Sequence, residues 1–290
     1  MQEDVSIQNR INGHYADLSD KLQVAADYVA NNPVDIATRS LRSVASTSGV
    51  SPATFSRLAR ALGYQDYEEM REEGRDAVER QVSTFSERAH ALRLKAAEDG
   101  GSDAMLVHQS AACVANIAKL QSTISPQTLN AVVDRLHRAK NVILIASMGS
   151  SGIMGYFGYL SQWFNTNWKI VGRNGTELSA TLSRVQPEDA VVALVKAPYA
   201  RRTIGALKSA HEKGAATIAI TDSRNSPALP FAQHGLIVPT ESPQFFSSYA
   251  ATLVLMETII SMLLARSGPE AEKMIRAAEQ QIDLLGENWS

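Results

Sequence analysis

The sequence predicts two folds joined in one chain: an all-α front, and an α/β rear whose parallel sheet lies between two helix layers. Three observations predict this. A length of 290 residues is enough for about two domains at the usual 100–200 residues each. Before residue 80 the apolar side chains recur at helical spacing. From residue 125 onward, short apolar runs at 141–146, 190–195, 216–221 and 236–238 alternate with helical stretches, the grammar of a sheet covered by helices on both faces. The expected boundaries are a front domain over 1–80, a connector with a leading helix over 81–124, the α/β domain over 125–268 and a helical tail over 269–290.

Ser19 opens a helix over 20–31, in which Leu22, Ala25, Ala26 and Val29 share a face, and Asn32-Pro33 ends it. The residues before it, His14 included, read as an unstructured lead-in. Leu41, Val44 and Ala45 form a short helix over 41–46, Thr47-Ser48-Gly49-Val50 turns the chain, and Ser51-Pro52 starts a second helix that Gly63 closes. A serine N-cap with proline at N1 is the ordinary helix opening. Phe55, Leu58 and Leu62 fall on one face of that helix; Ala53, Ser56, Arg57 and Arg60 fall on the opposite one. The stretch 77–122 is helix-prone and broken at Gly100-Gly101, either a connector plus leading helix or a continuous part of one domain. Ser125-Pro126 opens a helix to residue 138, before the first strand. Helices over 203–214 and 246–266 complete the alternation.

Composition excludes several function classes. With 44% hydrophobic and 20% charged residues the chain is neither disordered nor fibrous, and no apolar run approaches the roughly 18 residues of a membrane span. The acidic start Met1-Gln2-Glu3-Asp4 lacks the apolar core of a secretory signal, so the expected location is the cytoplasm. Cys113 is the single cysteine, which rules out an intrachain disulfide and a cysteine metal cluster. His90, His108, His137, His211 and His234 show no ligand spacing; no metal or cofactor is expected. A net charge of −2 gives no whole-chain sign of nucleic acid. Between Ser40 and Tyr64, however, the charged side chains are Arg42, Arg57 and Arg60 alone, and the acidic run from Asp66 follows them.

Two short helices joined by a glycine-containing turn form the helix-turn-helix pattern, whose second helix enters the DNA major groove. Ser51 and Thr54 would donate to phosphates, Ala53 would let the backbone approach base edges, and Arg42, Ser56, Arg57 and Arg60 complete the face. The same periodicity also fits a helical hairpin that only packs. The wording of the segment favours DNA binding. Leu18-Ser19, Ala25-Ala26-Asp27-Tyr28-Val29, Asn31-Asn32-Pro33, Ser43-Val44-Ala45, Gly49-Val50-Ser51, Thr54, Ser56-Arg57 and Leu62-Gly63-Tyr64 resemble the amino-terminal DNA-binding domain of the RpiR (MurR) family of bacterial regulators.

In the rear, Ala146-Ser147-Met148-Gly149-Ser150-Ser151-Gly152 stands between the first strand and a helix beginning near Ile153. Small residues there aim backbone N–H groups outward at a helix N-terminus, an anion site with Ser147, Ser150 and Ser151 as hydroxyl donors beside Gly149; glycine and serine also serve simply to turn tightly. The order of this loop, a second strand ending near Lys196, Glu212-Lys213-Gly214-Ala215-Ala216, Ile220-Thr221-Asp222-Ser223 and Ser226-Pro227 resembles the sugar-isomerase (SIS) domain. In the RpiR family that domain binds a phosphosugar effector, as the resemblance implies here. One departure matters: the family usually has Ser-x-Ser-Gly-x-Thr after the second strand, and this chain has Val195-Lys196-Ala197-Pro198-Tyr199-Ala200. Lys196, Arg201, Arg202 and Thr203 either restore anion affinity or form a solvated helix start.

Glu241 and Ser242, ahead of the last long helix, are expected to close the same pocket, and Tyr156, Phe157, Tyr159, Trp163, Phe164 and Trp168 crowd the helix after the loop as core or dimer surface. The leading expectation is a transcription regulator of carbohydrate metabolism, a homodimer or tetramer that binds operator DNA and a small sugar-derived effector and has no membrane partner. The alternatives are a SIS-type phosphosugar isomerase with an accessory helical domain, for which Glu241 is the candidate base, and a protein-interaction module.

Overall fold

The computed structural model describes residues 7–82, 85–98, 102–172 and 176–286. The Gly100-Gly101 break and the acidic start at 1–4 lie outside the described residues. The chain divides into two compact units: a front unit reaching Ala115 and including Glu241–Ser247, and a rear unit of Asn116–Thr240 and Ser248 onward.

The front unit is helical throughout: α1 (Ile7–His14), α2 (Asp20–Asn31), α3 (Pro33–Thr38), α4 (Leu41–Ser48), α5 (Pro52–Ala61), α6 (Tyr67–Val82), α7 (Phe85–Glu98) and the first part of α8 (Ser102–Thr123). Its core gathers one face of each short helix. Ala25, Ala26 and Val29 of α2 meet Phe55, Leu58 and Ala59 of α5, and the Phe55 ring stands edge-on to Tyr28 at 6.0 Å and Tyr67 at 6.3 Å. The lead-in expected to be unstructured is in fact α1. Ile7 and Ile11, one turn apart, bury their side chains in this core, and Arg10 donates to the Leu62 carbonyl at 3.1 Å, satisfying an acceptor at the end of α5.

The rear unit carries β1 (Val142–Ala146), β2 (Trp168–Val171), β3 (Ala190–Val195), β4 (Ala216–Thr221) and β5 (His234–Ile237) in one parallel sheet of order β2-β1-β3-β4-β5. The remaining helices are α9 (Pro126–Arg138), α10 (Ser150–Gln162), α11 (Thr176–Ser183), α12 (Arg201–Glu212), α13 (Ala250–Arg266) and α14 (Pro269–Leu285). Alternate residues of each strand enter two cores. Val142, Leu144, Val192 and Leu194 pack with α9, α10 and α13, whereas Ile143, Ile145, Val191 and Val195 pack with α12. This is the three-layer α/β architecture that the apolar runs predict.

Two assignments change. Helix α10 begins at Ser150, three residues before the expected start, and it ends at Gln162, so Trp168 opens β2 instead of extending the aromatic helix. Trp168 packs edge-on against Phe157 of α10 at 5.2 Å. No single helix among the described residues is long and apolar enough to cross a membrane.

Helix α10 approaches the sheet closely because residue 158 is glycine. A Cβ there would fall 2.7 Å from Ile170 Cγ1 and 3.3 Å from Leu144 Cδ1. Gly158→Ala should therefore overpack the α10–sheet contact and lower stability by about 1–3 kcal/mol; an unchanged urea midpoint would show that Ile170 yields freely.

Candidate functional site

The front unit exposes a polar helix face. Ser40 caps α4 by accepting from Ser43 N–H at 3.4 Å, and Gly49 ends it at φ 69°, a conformation open to glycine without strain. Ser51 caps α5 by accepting from Thr54 N–H at 3.2 Å, and its hydroxyl also lies 2.8 Å from Thr54 Oγ1. Phe55, Leu58 and Leu62 point inward, leaving Ala53, Arg57 and Arg60 exposed and Ser56 half-buried. Arg42 on α4 and Ser51 are exposed as well. Thr54 differs from its neighbours: it is 5% exposed, and its hydroxyl serves the cap, leaving little of it for a phosphate.

In the rear unit, the strand order places β1 and β3 side by side with their outer neighbours on opposite sides, the arrangement whose carboxyl-end crevice holds ligands in open parallel sheets. Ser147 follows β1, and its hydroxyl lies 2.7 Å from that of Thr203 in the first turn of α12. Met148, 74% exposed, takes the left-handed conformation at φ 55°, and Gly149 leads into α10. Ser150 Oγ lies 2.9 Å from the Tyr249 hydroxyl, and Ser151 donates to the Ala146 carbonyl at 3.3 Å. Lys196 follows β3 and is 6% exposed. Its ammonium donates to the Ser248 carbonyl at 3.1 Å and sits 4.0 Å from the centre of the Tyr249 ring. Asp222, just past β4, accepts from Ala197 N–H at 2.9 Å.

The crevice position at the carboxyl ends of β1 and β3 thus brings together Ser147, Gly149, Ser150, Ser151, Lys196 and Thr203, their hydroxyls engaged within the protein, while Arg201 stands exposed at the start of α12. Glu241 and Ser242 are grouped with the front unit, where Ser242 donates to Gln109 Oε1 at 3.4 Å. Sequence reasoning missed two crevice residues, Tyr249 and Asp222. Asp222 stood at a strand end, a position that could have flagged it. Tyr249 carried no signal beyond preceding an apolar helix.

A helix-turn-helix unit and an SIS-type sheet in one chain define a sugar-responsive transcriptional regulator. Residues 5–78 match the model of the helix-turn-helix domain, rpiR family, and residues 135–262 match that of the SIS domain. The chain thus carries an rpiR-family helix-turn-helix domain followed by a SIS domain, the pairing of a transcriptional regulator. An uncharacterised HTH-type transcriptional regulator of Caldanaerobacter subterraneus is 24% identical over 248 residues, 82% of either chain. Another, from Haemophilus influenzae, is 20% identical over 269 residues, 91% of either chain. Among solved structures, the fold is shared by the Vibrio vulnificus NanR protein complexed with ManNAc-6P, with TM-score 0.58 and 20% identity over 97% of this chain and 99% of that one. The sugar isomerase domain of the Sphaerobacter thermophilus RpiR transcription factor gives TM-score 0.58 and 23% identity over 61% of this chain and 98% of that one.

The crevice lysine leaves a pH signature. Burial pulls the Lys196 ammonium down to about 7 from 10.5, and the nearby Asp222 carboxylate opposes the shift. Between these values the unfolded chain binds a proton that the folded chain releases, so this residue makes stability rise with pH from about 7 towards 10.5. Lys196→Met removes that slope. The variant's melting temperature relative to wild type should be highest at pH 6 and fall steadily towards pH 10; parallel profiles would overturn the assignment.

Proposed function

We propose that residues 1–80 read operator DNA through α4 and α5, that 81–124 connect, and that 125–268 bind a phosphosugar in the crevice, with 269–290 as a helical tail. The supporting observation is the crevice itself: a serine-bearing helix start on β1 and a buried lysine on β3 converge at the sheet's switch point, in a chain whose other unit exposes Arg57 and Arg60. NanR, similar over nearly the whole chain, is complexed with ManNAc-6P, which favours a phosphorylated effector. The lysine supplies the charge that the missing hydroxyls would have complemented. The protein works without catalysis. Isomerisation needs a base free to reach a carbon-bound proton; Asp222 is engaged by Ala197 N–H, and Glu241 is grouped with the other unit. It acts in the cytoplasm as at least a dimer, because one helix-turn-helix unit makes too few contacts for tight specific binding. The effector works by favouring one placement of the paired units, which requires unequal affinity for the two placements.

Arg57→Ala combined with Arg60→Ala should weaken operator binding at fixed salt by about 1–3 kcal/mol for each arginine that reads a base. Full affinity in the folded double variant, or one chain per operator in the wild-type complex, would refute the DNA-binding reading or the dimer respectively. For the effector, a thermal-shift panel of sugar phosphates led by N-acetylmannosamine 6-phosphate should raise the melting temperature, since ligands of the native state stabilise it. Ser151→Leu, which fills the first turn of α10, should abolish that rise and leave DNA affinity intact. A variant that still responds with wild-type sensitivity places the pocket elsewhere.

A further inference from the structure

Tyr249 covers both halves of the crevice. Its hydroxyl lies 2.9 Å from Ser150 Oγ and 3.8 Å from the place a Cβ on Gly149 would occupy, which sets it over the first turn of α10. Its ring lies 4.0 Å from the Lys196 ammonium, which also donates to the carbonyl of the preceding residue, Ser248. The first turn of a helix carries N–H groups without intrahelical partners and a positive end charge, and both favour an anion. A phenol is a neutral oxygen in that place. The buried ammonium likewise calls for an opposite charge in contact; the Asp222 carboxylate lies near it without such a contact, and an aromatic face supplies a weaker, uncharged substitute. One side chain therefore stands where an anion would satisfy the helix start and the lysine together.

We propose that Tyr249 is a built-in stand-in for the effector: its hydroxyl holds the position on Ser150 that an oxygen of a phosphate ester takes, so binding exchanges the tyrosine for the ligand and uncovers Lys196. This rests on the crevice being the effector site. The exchange makes no covalent bond. It trades a hydrogen bond between two neutral hydroxyls for charge-assisted ones, which are shorter and about twice as strong. The opposite role, a tyrosine that donates to the bound effector, predicts the reverse effect of removing the hydroxyl, so one substitution separates the two.

The experiment compares wild type with Tyr249→Phe by calorimetric titration with inorganic phosphate and with N-acetylmannosamine 6-phosphate, after melting curves establish that the variant is folded. Losing the competing hydroxyl should tighten binding about 2- to 10-fold, the worth of one hydrogen bond. Sugar phosphates lack an aromatic chromophore, so the ligand should also give wild type a tyrosine difference spectrum that the variant does not show. Equal or weaker binding by the variant, with wild type binding normally, overturns the stand-in and leaves the crevice as the effector site. If neither probe binds either protein, the crevice reading fails and the stand-in falls with it. A response to inorganic phosphate equal to that of the sugar ester would place recognition in the phosphate alone; a response to the ester only would require the sugar ring to help displace Tyr249.

Discussion

Everything in the rear unit follows from β1 lying beside β3. Ala146 pairs with Leu194 in the parallel register, so the loops that follow β1 and β3 leave the sheet side by side. The chain then departs from β1 into α10 and from β3 into α12, and a crevice must open between them. Its walls are fixed by the same register. Ser147 reaches across to Thr203 on α12, and Asp222 leaves β4, the next strand along, to hold the backbone just after Lys196. No loop has to find its place by chance, because fully buried strands carry each one there.

The cost of this arrangement is a cation out of water. Burying an ammonium costs several kcal/mol even after relaxation, and the free protein offsets part of it with a carbonyl, an aromatic face and a carboxylate nearby. None of these is an ion pair in contact, and the ammonium accordingly holds its proton less firmly than an ordinary lysine. On the proposed reading, an anion entering the crevice supplies the contact ion pair that these partners do not. An uncharged sugar brings hydroxyls but no charge, so it forms no ion pair with the lysine.

The fold was legible wherever burial was uniform. The runs 190–195 and 216–221 coincide with β3 and β4 because strands covered on both faces admit apolar residues at every position. β2 escaped notice because it is partly exposed: Trp-Lys-Ile-Val mixes a charge with aromatic and aliphatic residues and follows an aromatic helix, so neither period is clean. Helix α1 was illegible for a different reason. Its stability comes from Ile7 and Ile11 docking into a core formed by distant helices and from Arg10 reaching Leu62, tertiary terms that no local pattern contains. In the crevice, the serines and Lys196 could be named from strand ends, but Tyr249 is 99 residues from its partner Ser150, and only the folded chain reveals the pair.

Magnitudes limit what the crevice can transmit. Driving a two-state regulator from 1:99 to 99:1 requires a difference in effector binding of about 5.5 kcal/mol between the states, or about half of that per site if a dimer carries two crevices. Exchanging one neutral hydrogen bond is worth only about 1 kcal/mol, so displacement of the Tyr249 hydroxyl alone is too small. In the proposed regulator the larger contribution falls to the charge pair between the anion and Lys196, and only if that pair is better formed in one state than in the other. Because the lysine is anchored to Ser248 at the approach to α13, a change in its partner changes what holds that helix start. On the proposed reading, the lysine beside the missing hydroxyls does more than add affinity: it ties recognition of the anion to the position of a helix, which is what differential binding between two states demands.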